Sequence, residues 1–189
     1  MRLKPIENPS SLLLKIAYWF SKRQYGKVLS PLKVIYSRQP ALLSGAMKIV
    51  KFEEKQNSLS SDLRFFIKIA AAVQNGCSFC TDIALAHAVK GKIGMEKFNA
   101  LLSDGVSKQT AFNEKERAVF DFVKEYAEKK KVSDQTFAEL QRLFGETEIV
   151  EIVAINAFEQ YFNALAIPLE IESDGLQKLA INKMHNLEA

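Results

Sequence analysis

Cysteine and histidine are scarce in this sequence, and their scarcity excludes two kinds of protein. The cysteines are Cys77 and Cys80, and the histidines are His87 and His185. A secreted scaffold held together by disulfides needs several cysteines spread along the chain. A structural zinc site needs four Cys or His ligands that can meet, and the two histidines here lie roughly a hundred residues apart. We therefore expect neither a disulfide scaffold nor a bound metal.

Long apolar runs and concentrated positive charge are missing as well. The apolar stretch at residues 12–20 is interrupted by Lys15 and is too short to cross a bilayer. Pro5 and Pro9 precede it, and no small-residue cleavage site of a secretory signal follows it. The net charge of +4 forms no dense basic stripe with aromatic platforms. We expect a cytoplasmic protein that binds neither a membrane nor nucleic acid.

Only eight glycines and five prolines occur among the 189 residues, and no stretch alternates apolar and polar residues over strand length. Apolar residues instead recur three and four positions apart, as in Leu63, Phe66 and Ile67. This pattern predicts an all-α protein, a compact helical bundle of one structural unit. Residues 1–50 are expected to form an N-terminal helical extension that packs on a helical domain over residues 51–189. The predicted helices cover residues 12–20, 40–50, 59–73, 77–90, 114–130, 134–144 and 147–166. Their predicted caps and stops are Ser60 or Ser61, Asn75-Gly76, Gly91, Ser133 or Asp134, and Pro168.

Cys77 and Cys80 stand just after the helix-stopping pair Asn75-Gly76, at the predicted first turn of a helix. There they meet unpaired backbone N–H groups and the positive end of the helix dipole, which favour a thiolate over a thiol. Their spacing places both sulfurs on one helix face, close enough to form a disulfide. Such a pair can attack an oxidised substrate with one sulfur and resolve the product with the other. The alternative is that both cysteines pack as small hydrophobic residues.

The stretch from Val73 to Ile83 resembles the core motif of the carboxymuconolactone decarboxylase and alkylhydroperoxidase D superfamily. The resemblance to the longer members of this superfamily extends to residues 24–28, 38–43, 112–118 and 162–165 of this sequence. The resemblance implies an all-α bundle with the Cys-x-x-Cys pair at the start of a central helix, and assembly into homo-oligomers (dimers, trimers or hexamers). It also implies that Cys80 attacks a hydroperoxide, that Cys77 resolves the intermediate, and that a dithiol partner such as a lipoyl protein reduces the pair again. No tightly bound cofactor is expected.

Two positions depart from the peroxidase pattern of this superfamily. Its peroxidases carry a glutamate on the preceding helix and a histidine one turn after the second cysteine, which together relay a proton. Phe65 and Ala84 occupy the corresponding positions here, and neither side chain can move a proton. His87 lies two helical turns after Cys80, about 10 Å along the axis, and is the candidate relay through a water chain. Its alternative role is a hydrogen bond in the core or at an interface.

Four other ionisable residues complete the candidates around the motif. Lys68 can stabilise a thiolate, or it is a solvated surface lysine. Asp82 is expected to cap its own helix, because a carboxylate in the first turn interacts favourably with the helix dipole. Glu151 and Glu159, on the last strong helix, are candidates for the missing relay only by elimination.

These residues together predict a thiol-dependent antioxidant oxidoreductase that reduces hydroperoxides or disulfides through Cys77 and Cys80. The alternative is a non-enzymatic or low-activity thiol or interaction module that keeps the fold without the proton relay. A decarboxylase or related lyase is the third hypothesis, and no cluster of acid–base residues near the motif supports it.

Overall fold

The structure of the chain is a computed structural model, and it describes residues 1–55, 57–90, 95–102, 111–179 and 181. All regular secondary structure within these ranges is helical, which confirms the predicted fold class. The elements are α1 (Leu12–Tyr25), a π-helical turn (Leu32–Tyr36), α2 (Pro40–Lys55), α3 (Ser61–Gln74), α4 (Ser78–Lys90), α5 (Met95–Leu102), α6 (Glu114–Lys129), α7 (Asp134–Leu143), α8 (Glu146–Ala166) and a 3₁₀ turn (Ile167–Leu169). No helix in the described ranges is long and apolar enough to span a bilayer.

Local side chains fix several helix ends where the sequence predicts them. Ser60 caps α3 by accepting a hydrogen bond from the N–H of Leu63, and Ser133 caps α7 in the same way. α8 ends just before the 3₁₀ turn that contains Pro168. The predicted stop at Gly91 lies outside the described residues.

The π-helical turn and α5 have no counterpart among the predicted helices. The π-helical turn lies between Pro31 and Pro40, and these prolines indicate an interruption rather than a helix. α5 has only eight residues, too few for a clear periodic pattern. α2 continues to Lys55, so residue 50, the predicted end of the N-terminal extension, lies within this helix.

α3 lies at the centre of the bundle and packs against α4, α6 and α8. Phe66, Ile67 and Ile69 of α3 are almost completely buried, in one hydrophobic cluster with residues of these three helices. Phe66 also meets Phe112 edge to face, with ring centroids 4.9 Å apart. Burial of a side chain of this size contributes about 2 kcal/mol, so the cluster holds α3 firmly in place.

A second hydrophobic cluster joins the N-terminal segment to the cysteines. Its members come from α1, the π-helical turn, α2, the end of α3, α4, the end of α8 and the residues after it, which we call the C-terminal segment. They include Leu14, Tyr18, Val34, Leu43, Ala72, Cys77, Cys80, Ala166 and Leu176. Asp174 connects the C-terminal segment to the residues between α1 and the π-helical turn. It accepts hydrogen bonds from the N–H and the hydroxyl of Ser30, both 2.8 Å, and forms an ion pair with Lys27 at 3.2 Å. The N-terminal segment therefore covers the side of the bundle on which the cysteines lie.

Candidate functional site

The turn between α3 and α4 sets the position of the two cysteines. Gly76 has a φ of +69°, a left-handed conformation that glycine adopts without the steric cost of a Cβ. The N–H of Cys77 donates to the carbonyl of Ala72 at 2.9 Å, and the N–H of Gly76 donates to the carbonyl of Val73 at 3.1 Å. These two hydrogen bonds form the Schellman pattern of a helix end. α4 then begins at Ser78, so Cys77 occupies its N-cap position.

Cys77 and Cys80 form a disulfide in the first turn of α4, with their Cα atoms 5.3 Å apart. Their place at the start of this helix confirms the prediction from the sequence. The backbone N–H of Cys80 donates a hydrogen bond to Sγ of Cys77 at 3.3 Å. An N-cap side chain commonly accepts such a bond from the third residue of its helix. When the pair is reduced, this N–H favours negative charge on the sulfur of Cys77.

Both cysteines are buried, with 2% of Cys77 and 4% of Cys80 exposed. An open groove of about 460 Å³ lies beside the cysteine turn, lined by residues of α3, the turn, α4, α5 and the C-terminal segment, and the cysteines are not among its lining residues. Polar side chains in its wall include Ser78, Thr81 and Gln177. A small molecule in this groove stands next to the cysteine turn, and the covering side chains must move before it contacts a sulfur.

His87 packs against the end of α1. Its Nε2 lies 2.7 Å from the hydroxyl of Tyr25, and the two rings are parallel with their centroids 6.0 Å apart. Burial raises the pKa of Tyr25 to about 12, so this hydroxyl keeps its proton at neutral pH. Phe65 meets the same imidazole edge to face, with ring centroids 6.1 Å apart. Phe65 thus contacts His87 through its ring, and a relay role for His87 stays a prediction.

Asp82 and Glu151 hold polar groups of other segments. Asp82 accepts hydrogen bonds from the N–H groups of Leu176 and Gln177, both 2.9 Å. It therefore caps the helical turn at residues 176–179. The N-cap position of its own helix, α4, is occupied by Cys77. The expectation that Asp82 caps its own helix was wrong. Glu151 accepts hydrogen bonds from the N–H and the hydroxyl of Ser58, which anchors the segment before α3.

Three charged side chains meet where α2, α3 and α8 pack together, and we call them the acid–base cluster. Glu53 of α2 is buried and forms an ion pair with Lys68 of α3 at 2.7 Å. Glu159 of α8, 4% exposed, interacts electrostatically with both. Burial raises the pKa of Glu159 to about 7, the charge of Lys68 opposes this rise, and that of Glu53 adds to it. Burial alone would lower the pKa of Lys68, but the carboxylates of Glu159 and Glu53 outweigh burial and raise it.

Amide side chains connect Glu159 to the cysteine turn. Nδ2 of Asn163 donates to Oε1 of Glu159 at 2.7 Å, and Oδ1 of Asn163 accepts a hydrogen bond from Nδ2 of Asn75 at 3.2 Å. Asn75 also donates to Oε1 of Gln160 at 2.9 Å. Because Asn75 is the C-cap of α3, two residues before Cys77, this amide network joins the acid–base cluster to the backbone that positions the disulfide.

Sequence reasoning identified two of the three residues in the acid–base cluster. It named Lys68 and Glu159 as separate candidates but missed Glu53, which lies on a different helix from both. No local spacing relates these three positions, so no sequence signal pointed to their contact. Across the described ranges, no group of three His, Cys, Asp or Glu side chains could hold a metal ion. The expectation that no metal or cofactor is bound stays a prediction.

Comparison with known proteins relates the chain to others by structure. No family model and no curated protein matches the sequence. An uncharacterised peroxidase-related protein from Silicibacter sp. TM1040 is 16% identical over 93% of each chain, with a TM-score of 0.79. A peroxidase-related protein with an alkylhydroperoxidase AhpD core, from Ralstonia eutropha JMP134, is 17% identical over 94% of this chain and 98% of its own, with a TM-score of 0.72. A variant of the debrominase Bmp8 in complex with 2,3,4-tribromopyrrole is 17% identical over 97% of each chain, with a TM-score of 0.77. At such low identity, these similarities show the fold alone.

Proposed function

Because the chain has the alkylhydroperoxidase D-like fold, we propose that it is a thiol-dependent oxidoreductase that reduces hydroperoxides or disulfides. The observation that carries this proposal is the Cys77–Cys80 disulfide in the first turn of α4. Two cysteines held at this distance by one helical turn can give two electrons to a substrate and store the oxidised state as a disulfide. They are also the only two thiols in the sequence.

The oxidative half of the proposed reaction uses the two sulfurs in turn. The thiolate of Cys80 attacks the terminal oxygen of the hydroperoxide, the O–O bond breaks, and the alkoxide takes a proton and leaves as an alcohol. Cys80 is then a sulfenic acid. The thiolate of Cys77 bonds to Sγ of Cys80, and hydroxide leaves and takes a proton to become water. The N–H of Cys80 can stabilise the Cys77 thiolate that makes the second attack, and the assignment of the two roles follows the family resemblance.

A dithiol such as a lipoyl group returns the pair to its reduced state. The reductant's thiolate attacks Sγ of Cys80, and the electron pair of the S–S bond leaves on Sγ of Cys77. The N–H of Cys80 favours this direction, because a stabilised thiolate is the better leaving group. The reductant's second thiol loses its proton and displaces Cys80. One dithiol thereby becomes one disulfide, and the protein regains two thiols.

In this proposal the groove beside the cysteine turn binds the hydroperoxide. Its wall combines the polar side chains of Ser78, Thr81 and Gln177 with the apolar side chains of Val73 and Leu85. A hydroperoxide has a polar head and an apolar body, which match these two kinds of side chain. Because both sulfurs are buried, we expect local opening of the covering segments during each turnover.

Consumption of cumene hydroperoxide with dihydrolipoamide as reductant tests the proposal. Wild type is compared with Cys77→Ser and Cys80→Ser at equal concentration. We expect both variants to lose turnover, with a sulfenic acid trapped in Cys77→Ser only. Identical rates in all three proteins would refute the proposal. Because Bmp8 shares the fold, 2,3,4-tribromopyrrole is a second test substrate, and bromide release that needs the same cysteines would assign a debromination instead.

A thiol module of low activity is the second candidate function. The observation that favours it is the presence of Phe65 and Ala84 where peroxidases of this type carry their proton relay. Titration of the reduced protein by thiolate absorbance separates the two candidates. An oxidoreductase needs a cysteine with a lowered pKa, whereas a Cys80 pKa near the ordinary value of about 8.5 favours the module.

A further inference from the structure

The acid–base cluster takes no part in the steps above, although it brings two buried carboxyl groups and the half-buried Lys68 together. Several buried polar atoms around it also lack a partner. Oε1 of Glu53, Oδ1 of Asn156 and Nε2 of Gln160 make no hydrogen bond within the described part of the chain. Asn156 lies three residues before Glu159 on the same side of α8, and Gln160 follows Glu159 directly. Buried polar atoms of this kind are sites for ordered water, which can conduct protons.

Two sets of contacts connect the acid–base cluster to the cysteine turn. Lys68 precedes Ala72 on α3 by one helical turn, a rise of about 6 Å. Ala72 shares a buried cluster with both cysteines, and its carbonyl accepts the N–H of Cys77 at 2.9 Å. On the other side, the amide network joins Glu159 to Asn75 at the same turn.

The stability of a thiolate released at this position depends on the charge of the groups near it. Both cysteines are buried, and a buried charge is costly unless another group neutralises it. When Glu159 is protonated, the acid–base cluster is neutral, because Glu53 and Lys68 cancel. When Glu159 is ionised, the cluster has a net negative charge and opposes a nearby thiolate.

We propose that the acid–base cluster is a buried proton-exchange site that controls thiolate formation at Cys77 and Cys80. This inference rests on the proposed dithiol function. As the reductant's sulfur bonds to Cys80 and the S–S electron pair moves to Cys77, Glu159 gives its proton through ordered water to the Cys77 thiolate. The reductant's second thiol then gives its proton to the Glu159 carboxylate, and its sulfur displaces Cys80. Glu53 and Lys68 are positioning residues in this exchange.

The titration of Glu159 determines how the rate constant for reduction of the disulfide changes with pH. Burial raises the pKa of Glu159 to about 7, with Lys68 opposing this rise and Glu53 adding to it. Glu54 faces Lys68 from α2 as well. Below pH 7 the protonated Glu159 favours opening of the disulfide, and above pH 7 its charge opposes opening. The rate constant for reduction, expressed per reductant thiolate, therefore falls as the pH rises through about 7.

Reduction of the oxidised protein by dithiothreitol between about pH 6 and pH 9 tests this inference. Wild type is compared with Glu159→Gln and with the matched control Glu151→Gln, which alters another buried carboxylate on the same helix, bonded to Ser58. We expect the rate constant of wild type to fall about threefold or more over this range. Glu159→Gln should show a flat profile, and Glu151→Gln should follow wild type. A Glu159→Gln profile that superimposes on that of wild type overturns the inference.

Infrared difference spectra of wild type at about pH 8 provide a test that needs no variant to fold. Thiolate formed on reduction raises the protonated fraction of Glu159, so absorption by a protonated carboxylic acid should increase when the disulfide is reduced. Unchanged absorption overturns the inference.

Neither measurement uses a hydroperoxide. Hydroperoxide turnover without a Glu159-dependent profile therefore refutes this inference alone, and a Glu159-dependent profile without turnover refutes the proposed function alone.

Discussion

Replacing Glu159 by glutamine should remove a large part of the pH dependence of folding stability. The pKa of this carboxyl rises from 4.5 to about 7 in the folded protein, chiefly because it is buried. The folded chain therefore holds this proton more tightly than the unfolded chain, and the free energy of unfolding falls as the pH rises from 4.5 to beyond 7. A pKa difference of about 2.5 corresponds to about 3 kcal/mol, of which about 2.5 kcal/mol is lost between pH 5 and pH 8.

Urea unfolding of the oxidised protein at pH 5 and pH 8, followed by helical circular dichroism, measures this effect. Glutamine keeps an oxygen that can accept the hydrogen bond of Asn163 but cannot ionise. Relative to wild type, Glu159→Gln should gain about 2.5 kcal/mol of stability between pH 5 and pH 8. Glu151→Gln, which also removes a buried carboxylate from α8, should not reproduce this gain.

One result would refute the reasoning about Glu159. If the difference in stability between wild type and Glu159→Gln is the same at pH 5 and pH 8, within about 0.5 kcal/mol, the pKa of Glu159 is not raised. The charge of Lys68 would then offset burial completely. In that case Glu159 would be ionised at neutral pH and could not donate a proton to the cysteine pair.

Three further predictions concern the segments around the cysteine turn. Tyr25→Phe removes the hydroxyl bonded to Nε2 of His87 and should lower the free energy of unfolding by about 1 kcal/mol in urea titrations. Asp174→Ala removes the acceptor for the N–H and hydroxyl of Ser30, and amide exchange at Ser30 should become about tenfold faster. Gly76→Ala places a Cβ on a residue with φ of +69° and should cost about 1 kcal/mol of stability, although no atom lies within 4 Å of the new Cβ.

Each of these predictions has its own control. Tyr25→Phe keeps the ring that lies parallel to the imidazole, so unchanged stability would mean that the hydroxyl bond contributes nothing. Asp174→Asn retains an acceptor oxygen and should speed exchange less than the alanine variant, and equal exchange rates in wild type and Asp174→Ala would contradict the anchoring role. Gly45→Ala, in α2 with open space around its Cβ, should stabilise the protein by about 1 kcal/mol. An equal gain at Gly76 would argue against a left-handed turn.

Local sequence patterns were enough to predict most of the helices and the place of the cysteines at the start of one of them. Ser60 and Ser133 cap helices through hydrogen bonds that reach only three residues along the chain, so a local pattern is enough to identify them. The stop at Asn75-Gly76 is equally local, because it needs only one residue that tolerates a positive φ. These short-range effects predict a helix that starts at the cysteines.

The surroundings of the two sulfurs depend on contacts between segments that are far apart in the sequence. The bond between Tyr25 and His87 joins positions 62 residues apart, and the bond from Asp82 to Leu176 joins positions 94 residues apart. In the acid–base cluster, Glu53 and Lys68 lie only 15 residues apart, but Glu159 lies 91 residues beyond Lys68. A helical pattern repeats every three to four residues, so it shows which face is buried but not which helices meet there. The proton chemistry proposed for Glu159 depends on its desolvation, and that desolvation exists only after those helices have packed together.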